Sequence, residues 1–231
     1  MAFNTFAVQD DRRFIVTLAF AGTDFVVCYF DRAGIITSEV HSMTSIEGAV
    51  VLVRALSGIR LAPRSRLGFD PTIFTKDGER FIQVDSQGTV DEILETVFIF
   101  RGIKGKGTVV YKCLDPEGNH VAVKDAWIDE ARLYKEPEIL AAIKKKGGIT
   151  GILDMLAHWI VQVDGVPDST DWIRSEFEPP SPSKIETRFH HRMVLSPYAV
   201  PINQFRSRRE FLLGLRDAVK GTQKYWHSFW S

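Results

Sequence analysis

The sequence predicts an α+β fold: an antiparallel-sheet region over residues 1–98, then a second unit of antiparallel strands and one helix over residues 99–231, closed by a C-terminal helix. Three observations carry that prediction. Short runs rich in β-branched and aromatic residues alternate with glycine, proline and aspartate turns. Only a few segments repeat apolar residues at helical spacing. A hydrophobic fraction of 45% beside a charged fraction of 25% is ordinary for a chain that buries a core, which excludes wholesale disorder.

In chain order, strands are expected at Arg13 to Phe20, Phe25 to Phe30 and Ile35 to Val40. The turns between them, Gly22-Thr23-Asp24 and Asp31-Arg32-Ala33-Gly34, are hairpin punctuation. Ser45 to Ser57 puts Ile46, Ala49, Val50, Val53 and Leu56 on one helical stripe. A turn at Leu67-Gly68-Phe69-Asp70-Pro71-Thr72 precedes a strand at Arg80 to Val84, and Val97 to Phe100 leads into glycines. These first hundred residues are expected to form one antiparallel sheet with a helix against it.

The second unit opens with strands at Val109 to Leu114 and His120 to Ala126. They are joined by Asp115-Pro116-Glu117-Gly118-Asn119, where proline and glycine each supply their own dihedral preference. A helix follows and ends near Lys144-Lys145-Lys146-Gly147-Gly148, since cations before glycines suit a helix carboxyl end. Strand character returns at Trp159 to Val163 and Arg192 to Leu195, and three prolines in Glu178 to Ser183 mark a loop. Ser207 with Glu210 forms a capping box, after which Phe211, Leu212, Leu215, Ala218, Val219 and Thr222 recur at helical spacing.

Composition narrows function. Twenty-nine basic residues balance twenty-nine acidic ones, so the basic surplus of a non-specific nucleic-acid binder is missing. Cys28 and Cys113 lack metal-ligand spacing and read as buried thiols, with one disulfide between them as the alternative. The amino terminus has no basic region before an apolar stretch, and no apolar run is long enough to cross a bilayer. An intracellular chain, in cytoplasm or nucleus, is expected.

Chemistry concentrates in one stretch. Gly105-Lys106-Gly107-Thr108 lies between two strands, where glycines let backbone approach phosphate oxygens closely. Seventeen residues after Gly107, Val121-Ala122-Val123-Lys124 places Lys124 and the small Ala122 on one strand face, with Val121 and Val123 on the other. By itself Lys124 would be a solvated strand charge. With the glycines it matches the order of a glycine loop, a strand and a phosphate-pairing lysine. Glu136-Pro137-Glu138-Ile139-Leu140 then offers a partner carboxylate, and an ion pair at about 4 Å is worth roughly 4 kcal/mol before desolvation. Pro137 places Glu136 at the start of its helix, and Glu138 is the alternative partner.

In this order the segments resemble the fungal-type protein kinases, a divergent kinase-like group. The matching stretches are Arg13-Phe14-Ile15, Phe30-Asp31-Arg32-Ala33-Gly34, Leu67 to Thr72, Gly105 to Thr108, Val123-Lys124-Asp125-Ala126-Trp127, Glu136 to Leu140, His191 to Leu195 and Leu215 to Gly221. The resemblance implies an amino-terminal region over 1–98 and, over 99–231, a kinase-like N-lobe with the first helix of the next lobe. It further implies ATP as ligand, Gly105 and Gly107 over its phosphates, Lys124 pairing with them, Glu136 holding Lys124, and a hinge around Ser196-Pro197-Tyr198.

The sequence departs from the pattern in two places. Val110 stands where a third loop glycine would fall. No D-F-G occurs in the 231 residues, and His191-Arg192 is followed by Met193, so neither a catalytic aspartate nor a magnesium ligand is assigned. The expectation is therefore a truncated kinase domain with a partial ATP site and no catalytic or metal residues. The alternatives are a non-catalytic interaction module working through the 207–222 helix, or part of a longer active kinase. Adjacent His190 and His191 point to opposite strand faces and are poor co-ligands, while Lys144 to Lys146 and Arg206 to Arg209 read as solvated surface.

Overall fold

In the computed structural model of the chain, residues 2–147, 151–175, 186–199 and 204–230 are described, with backbone alone at 222 and 224–230. The proline-rich stretch at 178–183 and the side chains of Tyr225, Trp226, Phe229 and Trp230 lie outside this set.

A short helix, α1 (Ala2–Val8), buries Ala2 and Phe6 against Ile15. Ile15 opens β1 (Ile15–Ala21), which pairs antiparallel with β2 (Asp24–Asp31). β3 (Gly34–Thr37) and the two-residue β4 (His41–Ser42) both pair with β2 and complete a four-stranded sheet. The helix α2 (Ile46–Leu61) starts where the Ser45 hydroxyl accepts from the Gly48 amide at 3.0 Å. A 3₁₀ turn at Arg64–Leu67 leads on to Gly68, whose left-handed conformation ends it.

The chain then enters a second sheet. β5 (Ile73–Lys76), β6 (Glu79–Gln83), β7 (Val90–Ile99), β8 (Val109–Leu114) and β9 (His120–Asp129) form a continuous antiparallel meander. After helix α3 (Glu136–Lys146) and β10 (Asp154–Ile160) come a small hairpin of β11 (Gln162–Val163) and β12 (Val166–Pro167), and a single helical turn α4 (Thr170–Arg174). β13 (Arg188–Ser196) inserts between β9 and β10, giving the strand order β10-β13-β9-β8-β7-β6-β5. The final helix is α5 (Arg208–Trp230). The architecture is α+β, and among the described residues every strand pairs antiparallel.

Two details differ from the sequence expectation. Residues 13–99 do not share one sheet: the strands up to Ser42 belong to the four-stranded sheet, and those from Ile73 to Ile99 belong to the seven-stranded one. β7 pairs on both sides, with β6 and β8, so the larger sheet runs across the expected boundary near residue 98. The stripe of α2 is also uncovered, with Ile46 86% and Val53 62% exposed. Apolar periodicity identifies a face but not what covers it. α2 meets β4 through Gly48, where a Cβ would stand 2.0 Å from the Ser42 carbonyl oxygen.

Alternation on β8 and β9 builds the main core. Tyr111, Cys113, Val121 and Val123 are almost fully buried and pack with Ile82, Ile93 and Val194. Cys28 and Cys113 are free thiols, both buried, and burial pushes the Cys113 pKa up to about 12. Asp10 ties the amino-terminal segment to this sheet: it takes two hydrogen bonds from Arg80, at 3.0 and 2.9 Å, and one from the Thr96 hydroxyl at 2.5 Å. Among the described residues, no helix is long and apolar enough to cross a membrane.

Candidate functional site

β9 carries two different environments on its two faces. On the front face, Ala122 packs with Met193 and Leu195 of β13, and Val110, Leu140, Met155 and Tyr198 close around them. Lys124 is the next residue on that face and sits opposite Val110 in β8 and Met193 in β13. Its ammonium donates to both carboxylate oxygens of Glu136, at 2.6 and 2.7 Å. Glu136 is the first helical residue of α3. Pro137 follows without an amide to satisfy, and the Glu138 carboxylate accepts from the Lys135 amide at 3.2 Å. Of the two carboxylates left open by the sequence, Glu136 is the one on Lys124. The pair is partly solvated, with the lysine side chain 21% exposed and the glutamate 38%.

Gly105 and Gly107 lie in the connection from β7 to β8, which is held by residues far away in sequence. The Gly105 amide donates to the Arg32 carbonyl at 3.0 Å, and the Arg32 guanidinium donates to the Gly102 carbonyl at 2.9 Å. The Lys106 carbonyl accepts from the Trp127 amide at 2.6 Å, so the loop continues along β9 past the end of β8. Gly107 has φ +49°, and a Cβ there would stand 2.4 Å from Arg32 Nε. Glycine is needed at 107 for this approach as well as for the backbone angle. The amide of Gly105 is thus engaged by the Arg32 carbonyl, a partner that no local sequence pattern signals.

The back face of β9 holds a buried charge network. Asp125 accepts from Arg192 at 2.6 and 2.8 Å and lies 3.2 Å from His190 Nε2. Arg192 has no exposed surface, and all five of its N–H groups are used: on Asp125, on Asp70 at 2.8 Å, on the Thr72 hydroxyl at 2.8 Å and on the Gln83 carbonyl at 3.0 Å. His190 Nδ1 lies 3.0 Å from Asp168, and Asp168 receives a two-pronged bond from Arg13 at 2.8 and 2.6 Å. A second such bond joins Arg174 to Asp31. Burial pushes the His190 pKa down, but Asp125 and Asp168 outweigh it and raise the value to about 9. Burial acts on Asp125 in the opposite sense, and Arg192 with His190 hold it well below the ordinary carboxylate range.

Ligand atoms of Asp70, Asp125 and His190 fall within 4.8 Å of one another. Arg192 already bridges both carboxylates, so a cation of the protein's own occupies the space between them. In the sequence alone, His190 and Arg192 read as local strand residues. The available signal was charge inside apolar strands: Asp125 within Val121 to Trp127, and Arg192 within His190 to Leu195.

A glycine-containing turn, a lysine on the next-but-one strand, and a helix-start glutamate bound to that lysine thus occur in that order on an antiparallel sheet. No curated protein and no solved structure shows significant similarity to the chain. The sequence does match the family described as fungal protein kinase, over residues 1–228. With nearly the whole length matched, the chain belongs to the fungal protein kinase family.

Proposed function

We propose that the front face of the seven-stranded sheet binds ATP, with Lys124 pairing with its phosphates and Glu136 fixing the direction of the lysine. The observation behind this is the two-pronged contact from Lys124 to Glu136. A lysine side chain is long and rotamer-rich, and a carboxylate accepting from its ammonium through both oxygens removes much of that freedom before a ligand arrives. The donor chemistry fits phosphate: a fixed ammonium, next to the small Ala122 and the apolar Met193 and Leu195, on a face bordered by Val110 and Tyr198. In this reading the 102–107 loop is the phosphate cover, held in place by Arg32 at Gly102, Gly105 and Gly107. Bound ATP would supply a transferable phosphoryl group, and the residues named here bind and orient it. Thermal unfolding with and without millimolar ATP tests this: the wild-type midpoint rises, and Lys124→Ala removes the rise. An equal rise in the variant rejects Lys124 as the phosphate ligand.

A second reading rests on α5. Leu212, Leu215 and Val219 are 62%, 40% and 56% exposed along one helix, an apolar face that suits a protein contact. Sedimentation at rising concentration reads self-association directly, and Leu215→Glu should abolish it. A monomer at every concentration would remove a second copy as the partner.

A further inference from the structure

Arg32 is an unusual buried cation. It is 2% exposed, its Nε has no hydrogen-bond partner, and the neighbouring carboxylate of Asp31 is taken by Arg174. Its guanidinium lies 3.9 Å from the centroid of the Phe6 ring, a cation–π contact that partly replaces lost water. Burial lowers its pKa to about 10. Such a costly group persists where it holds something.

What Arg32 holds is the glycine-rich loop, through three contacts. Its guanidinium bonds the Gly102 carbonyl, its own carbonyl receives the Gly105 amide, and its side chain fills the space left by the missing Cβ of Gly107. Ile103 of the same loop packs on the cluster formed by Phe6, Ile15 and Phe30. All of these anchors come from α1, β1, β2 and the turn that follows β2, outside the seven-stranded sheet.

We infer that Arg32 is a positioning residue, a latch by which the amino-terminal α1–β2 module sets the place of the phosphate-covering loop. This rests on the ATP reading given above and adds its control. A loop fixed in advance loses less freedom when phosphate binds, so the latch raises affinity for the phosphate part of the ligand alone. Release of Phe6 or Arg32 therefore loosens the cover without touching Lys124.

Two variants test the latch: Arg32→Met, which keeps the stem and removes the donor, and the milder Phe6→Leu, which keeps the core apolar and removes the ring. The first readout needs no nucleotide. Lys104 and Lys106 are exposed in the loop, and trypsin should cut there about tenfold faster or more in both variants, with Arg32→Lys intermediate. The second readout is titration with ATP and with adenosine. ATP affinity should fall about fivefold or more while adenosine affinity is unchanged, a split that general loss of folding does not produce. Unchanged cleavage in folded Phe6→Leu protein overturns the latch, as does an equal loss of ATP and adenosine binding. If the wild type binds no ATP, the nucleotide reading fails, and the cleavage rates alone decide whether Arg32 holds the loop.

Discussion

Lys124 and Asp125 are adjacent in β9, yet their side chains leave opposite faces of the sheet, one to Glu136 and the other to Arg192. The strand that presents the proposed phosphate ligand is thereby fixed from behind by a buried charge. The network balances three cations, Arg13, His190 and Arg192, against three carboxylates, Asp70, Asp125 and Asp168. It joins residues before 73 to β9 and β13, and so couples the amino-terminal region to the strand that bears Lys124.

Removal of Asp125 should therefore be severe. Asp125→Ala leaves Arg192 and His190 buried with too little negative charge, a situation that typically costs about 3–5 kcal/mol. Urea unfolding should show that loss, whereas Glu136→Gln, at a partly solvated pair, should cost about 1 kcal/mol or less. Similar losses in the two variants would contradict the distinction between a structural back face and a functional front.

His190 and His191 give stability opposite slopes with pH. His190 has its pKa raised to about 9 from the ordinary 6.5, so the folded chain holds a proton that the unfolded chain releases. Its contribution is complete below pH 6.5 and is lost as pH rises through about 9. His191 stands on the other face, its Nδ1 2.8 Å from His158 Nε2, and burial with the neighbouring histidines lowers its pKa to about 4. That contribution is complete above pH 6.5 and is lost as pH falls through about 4. Unfolding midpoints followed from pH 4 to 10 should decline on both sides, and His190→Gln should flatten the alkaline decline alone. An unchanged alkaline decline in that variant would show that His190 is not its source.

Two glycines with left-handed backbones should respond differently to a methyl group. Gly68 has φ +94°, and a Cβ would stand 2.0 Å from the Phe14 carbonyl oxygen, against backbone that cannot rotate away. Gly78 has φ +93° with nothing within 4 Å. Gly78→Ala should cost about 1–2 kcal/mol, the penalty of the conformation alone. Gly68→Ala should cost clearly more, because the turn from Leu67 to Thr72 must shift and carries Asp70 with it. Equal unfolding midpoints for the two variants would contradict this close approach.

Local pattern made much of the fold legible. Hairpin turns located β1, β2, β8 and β9, and alternation in Val121 to Lys124 separated the core face from the face of Lys124. The sequence could not show which strands share a sheet, because pairing is settled by partners distant in the chain: β13 enters between β9 and β10 after a gap of nearly thirty residues. For the same reason it could not show that Arg192 meets Asp70, or that Arg32 reaches Gly102. Each of those contacts spans at least seventy positions, and an isolated charge in a strand carries no label for its partner. The stripe of α2 taught the converse, since its period was correct and its face is uncovered.

Calorimetric titration of wild type and Lys124→Ala with ATP, side by side, decides whether the ammonium at 124 is a phosphate ligand. The wild type should bind saturably, and the variant at least about tenfold more weakly, roughly 1.4 kcal/mol. Equal affinities, or heat of binding in neither, would contradict a phosphate site at Lys124.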